Sequence, residues 1–172
     1  MIRKAVSEDI LKIAETYTEL LTYEEKQGGA SNWKLGVYPT VSVPEKTVPE
    51  GTMYVLEEDG EICGSMILNR FQAPEYFEIE WKYTAPEDKV FVIHTLCIPP
   101  KKSGKGFGSQ MIEYAKRAGE RAGCEVIRID TYVHNEPAKN LYQKDGFRIA
   151  GCHMANHAGL IEEELVYLEY KL

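Results

Sequence analysis

Three lysines and three glycines crowd into the eight residues Lys101-Lys102-Ser103-Gly104-Lys105-Gly106-Phe107-Gly108, the strongest chemical signal in the chain. The stretch follows an apolar, β-prone run that breaks at Pro99-Pro100, and it leads into a strongly amphipathic segment. A glycine-rich turn opening a helix gathers backbone N–H groups without partners at the positive end of the helix dipole, and missing side chains let an anion come close. The chemistry on offer is phosphate binding. A P-loop needs wider glycine spacing, and glycines at 104, 106 and 108 do not make the dinucleotide fingerprint GxGxxG, so a nucleoside triphosphate or a nicotinamide is disfavoured. The plainer alternative is a flexible turn with solvated lysines.

His94 is the next residue that could do chemistry. On a regular strand it shares a face with Val92 and Leu96, and an ordinary histidine titrates close to working pH, so it is the first candidate to take a proton. A histidine satisfied inside the core fits the same run, and a bulge would exchange the faces. Glu80, Asp130, Tyr132 and His134 are further candidates for binding or deprotonating a cation, with surface or strand-end polarity as the simpler account. Histidines at 94, 134, 153 and 157 and cysteines at 63, 97, 124 and 152 show no metal-ligand spacing, so no metal is expected and the thiols are expected to be free. With no Gly-x-Ser-x-Gly elbow or cysteine nucleophile motif, direct attack is favoured over a covalent enzyme intermediate.

The elements that must position these residues follow from periodicity and punctuation. Residues 2–6 predict a short strand, and Ser7 is placed to cap a helix carrying Ile10, Ala14, Tyr17 and Leu21 at helical spacing. Residues 28–51 are irregular and aromatic, compatible with a second short helix or an ordered loop. Two β-rich runs at 52–58 and 61–69 flank a Glu-Asp-Gly turn, a hairpin signal. Residues 71–89 predict a loop or hairpin extension. A strand at 90–98, a helix at about 105–122, a strand at 124–130, a helix from Pro137 to Lys144 and strands near 147–153 and 164–171 complete the order. The central strand-helix-strand-helix succession predicts a parallel pair inside a mixed sheet, in a single domain over 1–172.

The bulk figures limit the function classes. A formal charge of −7, from 27 acidic and 20 basic side chains without a long basic run, argues against a nucleic-acid partner and leaves room for a cationic substrate. No apolar run is long enough to cross a membrane and MIRKAVSEDI carries no apolar signal segment, so a cytoplasmic protein without a membrane partner is expected.

The Ser103 to Gly108 segment resembles the acyl-coenzyme A loop of the Gcn5-related N-acetyltransferase (GNAT) superfamily, whose signature is Gln or Arg, two residues, Gly, one residue, then Gly or Ala. Gly106 and Gly108 stand at the two glycine positions, and Ser103 departs from the first. Asn135-Glu136-Pro137-Ala138-Lys139-Asn140-Leu141-Tyr142-Gln143-Lys144-Asp145-Gly146-Phe147 is similar to the family's later motif, and the stretches Trp33 to Thr40 and Trp81 to Tyr83 look like those of a bacterial branch of unassigned substrate. The resemblance implies an α/β (α+β) fold with a mixed, mostly antiparallel sheet of about seven strands, a central splayed parallel pair and flanking helices.

It also implies roles. Coenzyme A would lie along Leu96 and Ile98 and on Ser103, Gly104, Lys105, Gly106, Phe107, Gly108 and Ser109, with Lys101, Lys102 or Lys105 supplying positive charge. Asn135, Ala138 and Tyr142 would complete the cofactor set, although Asn135 is equally well placed to cap its helix. A bulge would free the backbone N–H of Leu96 or a neighbour to stabilise the oxyanion, and Tyr142, which by itself reads as a core residue of a short helix, would protonate the departing thiolate. The expected activity is direct acetyl transfer from acetyl-CoA to a primary amine, preferably of a small cationic molecule, with Glu80, Trp81, Asp130 and Tyr132 on the acceptor side. A homodimer stays open. The competing functions are a non-catalytic acyl-CoA sensor and acetylation of a protein amino group.

Overall fold

The computed structural model describes residues 1–157 and 159–172. Seven strands lie in the order β1-β2-β3-β4-β5-β7-β6. Strands β4 and β5 run parallel, whereas β1 with β2, β2 with β3, β5 with β7 and β6 with β7 pair antiparallel. The mixed, mostly antiparallel sheet expected of the sequence is therefore present. The chain divides into two compact units, one made of Met1–Gly29, Trp33–Leu68 and Thr95–Met111, the other of Ala30–Asn32, Asn69–His94 and Ile112–Leu172.

In the first unit, β1 (Ile2–Lys4) pairs with β2 (Met53–Glu58), which turns through Asp59 and Gly60 into β3 (Glu61–Asn69). Both turn residues have positive φ, 53° and 79°, which an Asp-Gly pair tolerates and a two-residue hairpin demands. The first helix, α1, covers Ile10–Gln27 and starts later than Ser7 predicts. Ser7–Asp9 is a 3-10 turn without a side-chain cap, because Asp9 accepts the Val6 N–H at 2.9 Å and an Arg3 N–H at 2.6 Å. The irregular stretch after it contains the short helix α2 (Ser42–Thr47). Ile13 and Tyr17 of α1, Met53 and Val55 of β2 and Ile62 and Ile67 of β3 form the core here, closed by Cys97.

In the second unit, β4 (Val90–Cys97) begins and pairs in parallel with β5 (Val126–Tyr132). The ladder joins Val90–Ile93 to Val126–Ile129 and ends there, although β4 runs on to Cys97. Helix α3 (Phe107–Arg121) starts after Gly106 and buries Phe107, Met111, Ile112 and Ala115 along one stripe. Helix α4 (Glu136–Lys144) precedes the long hairpin of β6 (Arg148–His157) and β7 (Ile161–Lys171). Both strands exceed their expected lengths. Glu163, between exposed Glu162 and Glu164, is buried and accepts a hydrogen bond from Asn32 at 2.8 Å, so the alternation of β7 continues through the acids.

Residues 71–89 form a loop with 3-10 turns at Pro74–Glu78 and Glu87–Lys89. It is fastened from below. The fully buried carboxylate of Glu169 accepts the backbone N–H groups of Lys82 (3.0 Å) and Tyr83 (2.6 Å) and pairs with Arg148 at 2.6 Å. Arg128 donates to the Gln72 side chain and the Tyr83 carbonyl while its guanidinium lies 4.0 Å from the Trp81 ring centroid. Tyr76, Ile79, Val90, Val92, Val126, Leu165 and Tyr167 supply the core of this unit. Among the described residues, no helix is long and apolar enough to cross a membrane, and all four cysteines are free, with Cys152 alone exposed.

Candidate functional site

The residues singled out in the sequence fall into two groups, one in each unit. In the first unit, a short 3-10 turn at Pro100–Lys102 leads from the end of β4 into the glycine loop. Gly104 and Gly106 have φ of 75° and 79°, a left-handed backbone that only glycine adopts freely, and a Cβ placed on either meets no atom within 4 Å. The space over the loop is open. The carbonyl of Gly106 accepts the Gln110 N–H at 3.1 Å and starts the helix, and the first-turn amides after it have no acceptor within α3. Phe107 is buried and anchors the loop, whereas Ser103, Gly104, Lys105 and Gly106 are exposed and Gly108 and Ser109 half-buried. This arrangement fits a diphosphate.

The lysines differ in their commitments. Lys102 forms an ion pair with Glu61, which holds that carboxyl below its usual range, and Lys101 lies 3.9 Å from Glu19. Lys105 carries no ion pair among the described residues, so the positive charge nearest to availability on this loop is that of Lys105.

The strand before the loop has an irregular backbone late in its course: Thr95, directly before Leu96, has φ +48°, an outlier for a β-branched residue. Its hydroxyl lies 2.5 Å from that of Tyr38. Leu96 and Ile98 are half-buried, and Ile98 occupies the space a side chain on Gly64 would need, 2.6 Å from a Cβ placed there.

In the second unit, Tyr142 of α4 is buried beside Phe147, with ring centroids 6.3 Å apart. Burial, aided by the charge of Asp130, pushes its phenol well above the usual range, so it stays protonated at neutral pH. Asn135 caps α4: its Oδ1 accepts the Ala138 N–H at 3.2 Å and its Nδ2 donates to Thr131 Oγ1 at 3.1 Å. Both ends of that amide are occupied locally.

His94 lies at the last residue of β4 in this unit. Asn69 Oδ1 accepts the Phe71 N–H at 2.9 Å and therefore presents an acceptor to His94 Nε2, also at 2.9 Å. Burial, and then the neighbouring His157, lower the imidazole to about 4, so it is neutral at working pH. Asp130, near the end of β5, accepts the Tyr76 hydroxyl at 2.6 Å, the single hydrogen bond of its carboxylate among the described residues. Desolvation raises the Asp130 carboxyl against the opposing influence of Tyr76 and His157. Trp81 is occupied in structure, donating to the Tyr76 carbonyl at 2.7 Å and covering Arg128. Tyr132 is half-buried, edge-on to His134 at 5.3 Å, and Glu80 is exposed.

Sequence reasoning missed Tyr76, Asn69 and Thr95, each the partner or chain neighbour of a residue it did choose, and Tyr38, the partner of Thr95. Separations such as the 54 residues between Tyr76 and Asp130 leave no local pattern to find. Among the described residues, no group of three or more His, Cys, Asp or Glu could hold a metal ion.

A family model described as the acetyltransferase (GNAT) family matches residues 13–147. The chain is 26% identical over 154 residues to the peptidyl-lysine N-acetyltransferase YiaC of Escherichia coli strain K12, covering 88% of this chain and 86% of that protein. It is 30% identical over 95 residues to a streptothricin acetyltransferase of Escherichia coli, covering 55% of this chain and 51% of the relative, so it spans about half the length of that relative. Among solved structures, yncA of Salmonella typhimurium with its cofactor acetyl-CoA superposes with a TM-score of 0.69 at 18% identity, covering 100% of this chain and 93% of that one.

Proposed function

Since the chain belongs to the GNAT acetyltransferase family, we propose that it moves the acetyl group of acetyl-CoA directly onto the primary amine of a small cationic molecule. The open glycine loop with its left-handed Gly104 and Gly106 takes the diphosphate, with Lys105 adding charge. The acetyl-CoA complex of the similar fold supports the same cosubstrate.

The amine nitrogen attacks the thioester carbonyl carbon, and the carbonyl electron pair moves onto oxygen. The N–H of Leu96, which follows the left-handed Thr95, stabilises that oxyanion. Collapse breaks the C–S bond, and the Tyr142 phenol, held protonated by burial, gives its proton to the departing thiolate. Two groups could take the proton lost from nitrogen. His94, lowered to about 4 with Nε2 engaged by Asn69, is a weak base at neutral pH. Asp130, raised by burial, is the second acceptor, and its carboxylate form also attracts the ammonium.

The observation that carries the substrate class is Asp130 itself, a half-buried carboxylate whose single hydrogen bond among the described residues comes from a neutral phenol. A carboxylate partly removed from water, offset only by that phenol and the neighbouring His157, is stabilised further by an ammonium group. A second reading, acetylation of a protein lysine, is favoured by the long alignment with the peptidyl-lysine enzyme YiaC. Coenzyme A release from acetyl-CoA, followed with a thiol reagent against polyamines, amino acids, aminoglycosides and lysine peptides, separates them. Turnover of small amines above peptides is expected. Preference for peptides selects the second reading, and stoichiometric acetyl-CoA binding without release across the panel selects a sensor.

A further inference from the structure

The Tyr38–Thr95 contact is a device that neither the family match nor the reaction explains. We propose that Tyr38 is a positioning residue for acetyl transfer: its hydroxyl holds Thr95 in the left-handed backbone that sets the direction of the next amide, Leu96 N–H. The proposal rests on the acetyltransferase reading above.

Thr95 lies late in β4 with φ +48°, where a β-branched side chain crowds the backbone, and such a residue keeps that conformation only when its surroundings force it. Its side chain is buried, so water does not satisfy the hydroxyl, and Tyr38 does, at 2.5 Å. Tyr38 is itself fixed. Its N–H donates to the Lys34 carbonyl at 3.0 Å and its carbonyl accepts the Lys34 N–H at 3.2 Å, closing the turn through Gly36. Its ring stands edge-on to Trp33 at 6.0 Å, and Trp33 packs on the core of α1, β2 and β3. The phenol is therefore a post set in the first unit and not the tip of a free loop. Its hydroxyl is spent on Thr95, which argues for action through the strand and against direct capture of substrate. Without it, the Thr95 hydroxyl is left buried and unpaired, and the backbone is released toward extended φ, which turns the Leu96 N–H.

The test uses the full chain under conditions where chemistry limits turnover. Tyr38→Phe is expected to lower kcat about tenfold while KM for acetyl-CoA and for the amine each change less than about twofold, the pattern of a lost transition-state contact. Thr95→Gly takes the same φ without strain, so in that background Tyr38→Phe is expected to change kcat by less than about twofold. Backbone chemical shifts and the amide coupling constant of Thr95 in labelled protein give a readout independent of catalysis: left-handed in the wild type, displaced toward extended in Tyr38→Phe. An unchanged kcat, an equal penalty in the Thr95→Gly background, or a raised amine KM with kcat intact overturns the positioning role. Unchanged Thr95 signals in Tyr38→Phe overturn the brace itself. Wild-type protein that releases no coenzyme A with any amine overturns the transfer reading, and it does so whatever the Thr95 signals report.

Discussion

The glycine loop and the Asp130 neighbourhood, in the roles proposed for them, answer opposite electrostatic problems by opposite means. The loop would meet an anion with backbone: left-handed glycines, first-turn amides and an exposed lysine, all within a few consecutive residues. Asp130 would meet a cation with side chains brought together from β5 and the 71–89 loop, relying on desolvation in place of backbone geometry. Backbone recognition is local in sequence and tolerant of side-chain drift, whereas side-chain recognition is remote and exacting. A substitution in the loop should therefore weaken binding in moderation, and one on the acceptor side should change rate and selectivity sharply.

The contrast can be broken most directly at the two chemical side chains. Tyr142→Phe is expected to lower kcat on the order of 10³-fold with coenzyme A affinity nearly unchanged, as the loss of a general acid would do; single-turnover kinetics beside calorimetric binding checks both parts. Asp130→Asn is expected to lower kcat/KM for cationic amines about 10²-fold. The same substitution removes a partly desolvated charge, so denaturant unfolding should find the variant at least as stable as wild type above neutral pH. There the raised carboxyl of the wild type is deprotonated at a cost to folding. A rate loss that falls equally on neutral amines would deny Asp130 its part in selectivity.

His94 offers a smaller effect, on stability. The folded protein protonates it only near pH 4, whereas the unfolded chain does so near 6.5, so the unfolded state binds the extra proton and stability falls as pH drops through that window. The wild type should lose about 2 kcal/mol more than His94→Gln between pH 6.5 and 4, allowing for partial exposure of the ring. Urea titrations at the two pH values measure the difference, and equal losses would show that His94 is not held neutral. On the loop, Gly106→Ala must take φ +79° with a Cβ, a strain of about 1–2 kcal/mol. Coenzyme A affinity is expected to fall about tenfold with kcat at saturation kept. A drop in kcat at saturation would mean that the loop takes part in chemistry and not in binding alone.

What the sequence made legible follows the same division. The Asp-Gly hairpin, the glycine loop, the stripe of α3 and the Asn135 cap all rest on short-range spacing, which alone constrains conformation. The later start of α1 was hidden because Arg3 recruits Asp9 into an ion pair, a tertiary contact that outcompetes the Ser7 cap. The length of β7 was hidden by Glu163, whose burial depends on Asn32 far away in the chain. For the residues proposed on the acceptor side, the structural duties were not readable. Trp81 spends its ring on Arg128 and its N–H on Tyr76, while Tyr76, overlooked, holds Asp130. Partners separated by tens of residues carry no local signature.

The fastening of residues 71–89 by Glu169 has a consequence in time. The amides of Lys82 and Tyr83 belong to no strand, yet each donates to a carboxylate with no exposure to solvent. Their protons should exchange with deuterium as slowly as those of the sheet, only when the surrounding unit opens, while neighbouring loop amides exchange quickly. A loop held in this way keeps its path while exposed positions such as Phe77, Glu78 and Glu80 change identity. New acceptor preferences can then arise by exchanging side chains on a stationary frame, without the chain having to relearn how to fold.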